Sequence, residues 1–402
     1  MLVTRVRLRN IRGIKELDIQ IRDPHGRPRL RTLFMGMNGT AKTTILRCIA
    51  IGLANIEEAN TLIAEPNVGE LVSKGQQEAE IYLEVESDSG PPRGITKVIT
   101  VRRNSEVIRP RSKMDFVTED VLVVGFGAGR ALEGPEQGDR FGIVESSHSL
   151  FNYEGTFIQA ELTLRRLDDF LGTARFDKAI NNILEALGLS PRDQISYQPG
   201  GGVVVKGPSV GGQISLQSWA DGYRITLNWI LDIYARAMKY PGGLSDDGTV
   251  SGILLIDEIE HHLHPSLQTG MLSHLRRLFP KMQVFATTHS PLVVLGAAPD
   301  ELVPLKRKRK WIYLEDVPDY RGYSVEDILA LFETSPYSIR ISNMLRRYRA
   351  LVAKPRNSLS DRQINTLESL ASELRSQRLL LTDLGVHEEL AKIREELAST
   401  EA

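Results

Sequence analysis

The sequence predicts an α/β fold, and three observations carry that reading. A glycine-rich segment, Gly36-Met37-Asn38-Gly39-Thr40-Ala41-Lys42-Thr43-Thr44, stands between an apolar strand-like run (Leu33, Phe34, Met35) and an apolar helical pattern (Ile45, Leu46, Ile49, Ala50). Ile253-Leu254-Leu255-Ile256 is an apolar run ending in two acids, Asp257 and Glu258. Phe285-Ala286-Thr287-Thr288 is another, ending in His289. Apolar runs of this length are buried parallel strands. Their polar residues cluster at the C-terminal ends, where an open α/β sheet forms its ligand crevice.

The elements follow in order. Val6 and Leu8, then Leu17, Ile19 and Ile21, predict two strands joined by a turn near Arg12-Gly13. Residues 42–64 read as a helix. Ile81, Leu83 and Val85 alternate with Tyr82, Glu84 and Glu86, a half-buried strand. Ser87–Gly94 reads as a loop and Ile95–Arg102 as the partner strand. Val121–Val124 reads as a buried strand running into Gly125-Phe126-Gly127-Ala128-Gly129-Arg130. Residues 132–155 read as loop, and Phe157–Leu189 as helical. Glycines around Val203-Val204-Val205 suggest a hairpin. Trp229–Ala237 and 266–279 read as helices, and Trp311–Leu314 as a short strand. Helices are expected near 325–333, 338–352, 361–377 and 385–399.

Composition narrows the class. The 402 residues suffice for two or three domains, and 41% hydrophobic with 25% charged is ordinary for a soluble globular chain. A formal net charge of -1 gives no global attraction to nucleic acid, so any such contact needs a local patch. No apolar run approaches the roughly 20 residues a membrane helix needs, and the start, MLVTRVRLRN, lacks a signal-peptide core. The single cysteine, Cys48, excludes an intramolecular disulfide and fits a cytoplasmic location.

Each motif has a chemical reading. A glycine-rich turn between strand and helix points backbone N–H groups inward, where they hold phosphate oxygens. Lys42 then reaches the outer phosphates of ATP, and the Thr43 hydroxyl ligates Mg²⁺. One departure stands out: Ala41 occupies the second glycine of the pattern G-x-x-x-x-G-K-[ST]. If that position needs φ > 0, alanine is strained by about 1 kcal/mol or more; if it is helical, alanine is harmless. Asp257 can complete the Mg²⁺ site. Glu258 can polarise a water against the γ-phosphate, and His289 can donate a hydrogen bond to it. His289 equally flanks a helix begun by Ser290-Pro291.

At this point the chain resembles the ABC-type P-loop ATPases of the SMC, RecF and OLD-nuclease kind. Asp257-Glu258-Ile259-Glu260-His261-His262-Leu263-His264-Pro265 is similar to their Walker B and D-loop, Thr288-His289-Ser290-Pro291 to their switch loop, and Val6–Gly13 to their opening strand and turn. The resemblance implies an ATPase head over residues 1–300 with an antiparallel β lobe, a central mixed sheet and a helical insertion near 150–190. A mostly helical region follows over 301–402, an oligomerisation or partner-binding candidate. It also implies a signature loop, matched by Trp219-Ala220-Asp221-Gly222-Tyr223-Arg224, that meets the γ-phosphate on a second copy. ATP would then join two head-to-tail protomers. Ala220 replaces the usual serine, removing one hydroxyl contact. Two departures at two phosphate-gripping loops lead to an expectation of slow turnover or a binding switch.

Other residues keep two readings. His261, His262 and His264 could hold a metal, but the resemblance gives His262–Pro265 a D-loop role. Arg130 could sense nucleotide or partner, or lie in a plain turn. The basic run Lys306-Arg307-Lys308-Arg309-Lys310 is either a nucleic-acid or partner patch or a solvated β-turn. Coiled-coil arms and a nuclease domain have no matching pattern. The chain therefore resembles stand-alone ATPase subunits of prokaryotic anti-phage systems, Septu- and PARIS-like, with the effector or nuclease chemistry on a separate protein. The alternatives are an ATP-gated scaffold that restrains an effector, and a DNA repair or recombination ATPase.

Overall fold

A computed structural model describes residues 1–87, 90–102, 105–110, 121–129, 133–134, 142–152, 156–197, 202–315, 325–331, 339–352 and 359–376. The first strands are β1 (Leu2–Ile11), β2 (Ile14–Gln20) and β3 (Arg31–Met35), followed by helices α1 (Lys42–Leu53) and α2 (Ile56–Ile63). The expected single helix over 42–64 is therefore two. Asn55 breaks it with a capping box: its side chain accepts from the Glu58 N–H while the Glu58 carboxylate accepts from the Asn55 N–H.

Next come β4 (Glu78–Ser87), β5 (Gly90–Arg102) and β6 (Ser105–Pro110), the last not foreseen. These form an antiparallel five-stranded lobe, ordered β2-β1-β4-β5-β6. The alternation of Ile81, Leu83 and Val85 with polar neighbours places one face on the core, as period 2 requires.

After β7 (Val123–Phe126) and β8 (Glu133–Gly134) come two short helices, α3 (Ile143–Ser146) and α4 (His148–Phe151), where a loop was expected. Strand β9 (Phe157–Ile158) leads into α5 (Ala160–Leu171) and α6 (Thr173–Ala186), parted at Gly172, whose φ of 73° no helix continues through. A three-stranded sheet, β10 (Gln194–Tyr197), β11 (Val203–Gly207) and β12 (Gly212–Ser215), extends the expected hairpin by one strand. Helix α7 (Asp221–Lys239) then runs to β13 (Ser251–Ile256). Helices α8 (Pro265–Gln268) and α9 (Met271–Leu278) precede β14 (Lys281–Thr288), and α10 (Pro291–Leu295) leads to β15 (Leu302–Lys308) and β16 (Trp311–Leu314).

The central sheet has the order β16-β15-β3-β14-β13-β7. All its neighbouring pairs are parallel except β15 with β16. Strand β3 is buried along its length, and β14 and β13 are buried beyond their first one or two residues, as parallel strands covered on both faces must be. Gln283 crosses from this sheet to the lobe. It accepts from the Val3 N–H at 2.7 Å and donates to the Val3 and Arg29 carbonyls.

The first compact unit runs Met1–Ile328, and within it β15 extends this sheet beside β3. The second unit is Leu329–Ala402. Within it α12 (Ile339–Val352) and α13 (Asp361–Ser376), which follow α11 (Val325–Leu331), share a core of Met344, Leu345, Tyr348 and Leu374. The expected helix at 385–399 lies outside the described residues. Among the described residues no helix is long and apolar enough to cross a membrane.

Candidate nucleotide site

The three sequence motifs converge at the C-terminal edge of the central sheet. Strand β3 ends at Met35, the loop Gly36–Ala41 turns, and α1 begins at Lys42. Gly36 takes φ 149° and approaches so closely that a Cβ there would lie 2.3 Å from the Leu305 carbonyl oxygen. Gly39 takes φ 78°. Ala41 adopts φ 63° and ψ 23°, the left-handed conformation. The sequence left this position open; the backbone resolves it toward strain.

Lys42 is folded over the loop. Its Nζ donates to the carbonyls of Gly36 at 2.7 Å and Met37 at 3.0 Å, and lies 3.4 Å from His289 Nδ1. Burial pushes its ammonium down to about 8, against the pull of Asp257, Glu260 and Glu258. His289 is held below its ordinary range, first by burial and then by Lys42. Its ring is therefore neutral at pH 7, with a proton on one nitrogen to donate.

The link between motifs is direct. Thr43 Oγ1 donates to Asp257 Oδ2 at 2.8 Å, across 214 positions of sequence. Thr287 Oγ1 donates to Asp257 Oδ1 at 2.6 Å and accepts the Glu258 N–H at 2.8 Å. A hydroxyl and a carboxylate side by side form a hard oxygen donor pair, the kind Mg²⁺ takes alongside waters and phosphates. Thr43 and Asp257 would hold the ion, and the ion would supply charge neutralisation to the phosphates. Glu258 itself has φ 47°, a conformation that costs a non-glycine residue energy. Its carboxylate lies 3.7 Å from His261 Nδ1.

Glu260 and Thr287 were not singled out in the sequence. Glu260 accepts from Thr288 Oγ1 at 2.8 Å and from the His289 N–H at 2.6 Å, so it fixes the turn that presents His289. The signal was available: Thr287 and Thr288 are polar residues at the end of an otherwise apolar strand, and both are fully buried. Ser290 caps α10, accepting from the N–H groups of Leu292 and Val293, as the helix-start reading of this motif expects.

The signature candidate opens α7. Ala220 is its N-cap and provides no side-chain hydrogen bond, leaving the first N–H groups of a long helix uncapped. Asp221 pairs with Arg224 at 2.7 Å, and Tyr223 stacks on Trp219 with centroids 5.2 Å apart. Gly222 packs on the following loop: a Cβ there would lie 2.6 Å from the His262 carbonyl oxygen. His262, with φ 67°, stacks edge-on against His261. No group of three or more His, Cys, Asp or Glu among the described residues is arranged to hold a metal.

The glycines at the end of β7 have a packing reason. A Cβ on Gly125 would meet Ser147 at 2.6 Å, and one on Gly127 would meet the Ser149 carbonyl oxygen at 2.1 Å. Arg130 lies outside the described residues. The basic run straddles a hairpin: Lys306 and Lys308 belong to β15, and the turn to β16 places Arg309 at φ 58°.

Fold and site together resemble those of P-loop ATPases of the SMC- and OLD-like class. Comparisons with known proteins found these similarities. Residues 161–295 match the family model described as AAA domain, putative AbiEii toxin, Type IV TA system. Septu protein PtuA of Bacillus mycoides (strain KBAB4) is 26% identical over 92% of this chain and 50% of its own. The Retron Vc95 probable ATPase of Vibrio cholerae serotype O1 biovar El Tor is 29% identical over 36% of this chain and 29% of its own. Among solved structures, the SMC head domain from Thermotoga maritima superposes with a TM-score of 0.45 and 13% identity, over 79% of this chain and 100% of that one. The chain thus spans about half the length, or less, of the curated relatives it matches.

Proposed function

We propose that the protein binds and hydrolyses ATP in this site and that ATP-dependent association of two copies controls a DNA-related process in anti-phage defence, with a separate effector or nuclease protein. The observation that carries the reading is the Thr43–Asp257 hydrogen bond, which joins the strand-turn-helix loop to the acids closing β13. In this reading the loop N–H groups and Lys42 hold the triphosphate, and Thr43 and Asp257 hold Mg²⁺. Glu258 accepts a proton from the attacking water, while His289 donates to the γ-phosphate. Phosphoryl transfer asks for positioning and charge stabilisation, and these groups supply both. Ala220–Arg224, at the exposed start of α7, would face the γ-phosphate held by a second copy, where uncapped helix N–H groups favour negative charge.

The defence role rests on the likeness to relatives named Septu protein PtuA and retron probable ATPases. Lys308, Arg309 and Lys310 at the hairpin turn, and the helices of the second unit, are the candidate surfaces for nucleic acid or the partner. A second reading, a scaffold that holds an effector and hydrolyses little, draws support from the strained Ala41 and the uncapped Ala220.

Purified protein with ATP, Mg²⁺ and DNA separates the two readings. Under the hydrolytic reading, phosphate release rises with DNA and disappears in Glu258→Gln, which instead accumulates an ATP-bound assembly. Negligible release from the parent, with stable ATP-bound assembly, selects the scaffold. Absence of ATP binding by the parent defeats both.

A further inference from the structure

Strand β15 runs parallel to β3, with Leu302, Val303 and Pro304 opposite Leu33, Phe34 and Met35. That register carries the end of β15 past the end of β3 and alongside the Gly36–Lys42 loop, where the Leu305 carbonyl touches Gly36. Two residues on, and so on the same side of the strand, Arg307 turns toward the loop apex. Its Nη1 lies 3.4 Å from the position a Gly39 Cβ would take.

Two other cations of the run are engaged. Lys306 pairs with Glu315 at 2.9 Å, and Lys310 Nζ sits 4.8 Å from the centroid of the Trp311 ring. The Arg307 side chain is exposed and makes no hydrogen bond or ion pair with any described residue. The hairpin that carries it is anchored, because the Ile312 N–H donates to the Gly13 carbonyl at 2.9 Å.

An unpaired guanidinium therefore stands on a fixed element beside a loop that already gathers inward N–H groups and the Lys42 ammonium. Such a concentration of positive character suits a polyanion. A guanidinium can grip two phosphate oxygens at once, which an ammonium cannot. We propose that Arg307 is a further contact to the phosphate chain of the bound nucleoside triphosphate, supplied from the same chain by the β15–β16 hairpin. This rests on the nucleotide reading of the site given above.

The test is calorimetric titration of the whole chain with ATP and Mg²⁺, for the parent, Arg307→Gln, Arg307→Lys and Lys42→Ala, with unfolding temperatures measured without nucleotide. Loss of a charge-assisted hydrogen bond predicts ATP binding weakened about tenfold or more in Arg307→Gln. Arg307→Lys should recover part of that loss, and the nucleotide-free unfolding temperature should not move. Parental affinity in Arg307→Gln alongside lost affinity in Lys42→Ala overturns the proposal and leaves the site reading standing. Parental affinity in Lys42→Ala overturns the site reading itself, and this proposal with it. Weakened DNA binding by Arg307→Gln with ATP affinity intact reassigns the arginine to nucleic acid and also overturns it.

Discussion

Ala41 holds a left-handed backbone at the mouth of the site, and its cost can be weighed. The conformation costs an alanine about 1–2 kcal/mol. Glycine would remove that cost but loosen the unfolded chain by about 0.4–1 kcal/mol. Ala41→Gly should therefore stabilise the nucleotide-free protein by up to about 1.6 kcal/mol, read as a higher midpoint in urea; a lower midpoint contradicts the strain. Lys42 gives a pH prediction. Its ammonium sits near 8 in the free protein because it is buried. A bound polyanion favours the charged form, so its pKa must rise on binding. ATP binding at pH 8 should take up protons, measurable as a dependence of binding heat on buffer ionisation enthalpy. Lys42→Arg, charged throughout, should lose this uptake. At this scale Lys42 and Thr43 stand out in the sequence because they close a glycine-rich turn, and Asp257, Glu258 and His289 because they follow apolar runs. The roles of Thr287 and Glu260 were not, since a hydroxyl and a carboxylate acquire a partner only when two strand ends meet.

Elements show where local chemistry decides structure and where it leaves a gap. The break between α1 and α2 is written in Asn55 and Glu58, a capping pair inside what reads as continuous helical periodicity. The start of α7 carries the opposite condition, an alanine where a capping hydroxyl would serve. Ala220→Ser should add about 0.5–2 kcal/mol to stability by capping that helix. If α7 also meets nucleotide on a second copy, the same change should tighten ATP-dependent assembly in analytical ultracentrifugation. Higher stability with unchanged assembly would confine Ala220 to a structural role. Strand boundaries were less legible than strand cores. β15 reads as a basic run in sequence, yet Leu302, Val303 and Leu305 bury it beside β3, and Pro304 sits at the end of the pairing.

Across the whole first unit, one buried amide joins the two main sheets. Gln283 lies in an apolar strand and satisfies both backbone groups of Val3 as well as the Arg29 carbonyl. Gln283→Leu keeps the volume but strands those groups, at about 1–3 kcal/mol for each one left unsatisfied. Denaturant unfolding should show a clear loss of stability; an unchanged midpoint would mean that the lobe does not depend on this clasp. The sequence by itself determined the α/β class, the parallel core and the residues at the strand ends, because burial demands apolar runs and chemistry interrupts them in short, ordered motifs. Only the tertiary structure decided that Ala41 is strained, that β15 closes the sheet beside β3, and that Arg307 stands over the loop. Those facts depend on which strands become neighbours, and pairing between segments hundreds of residues apart is set by the packing of the whole sheet rather than by any local pattern.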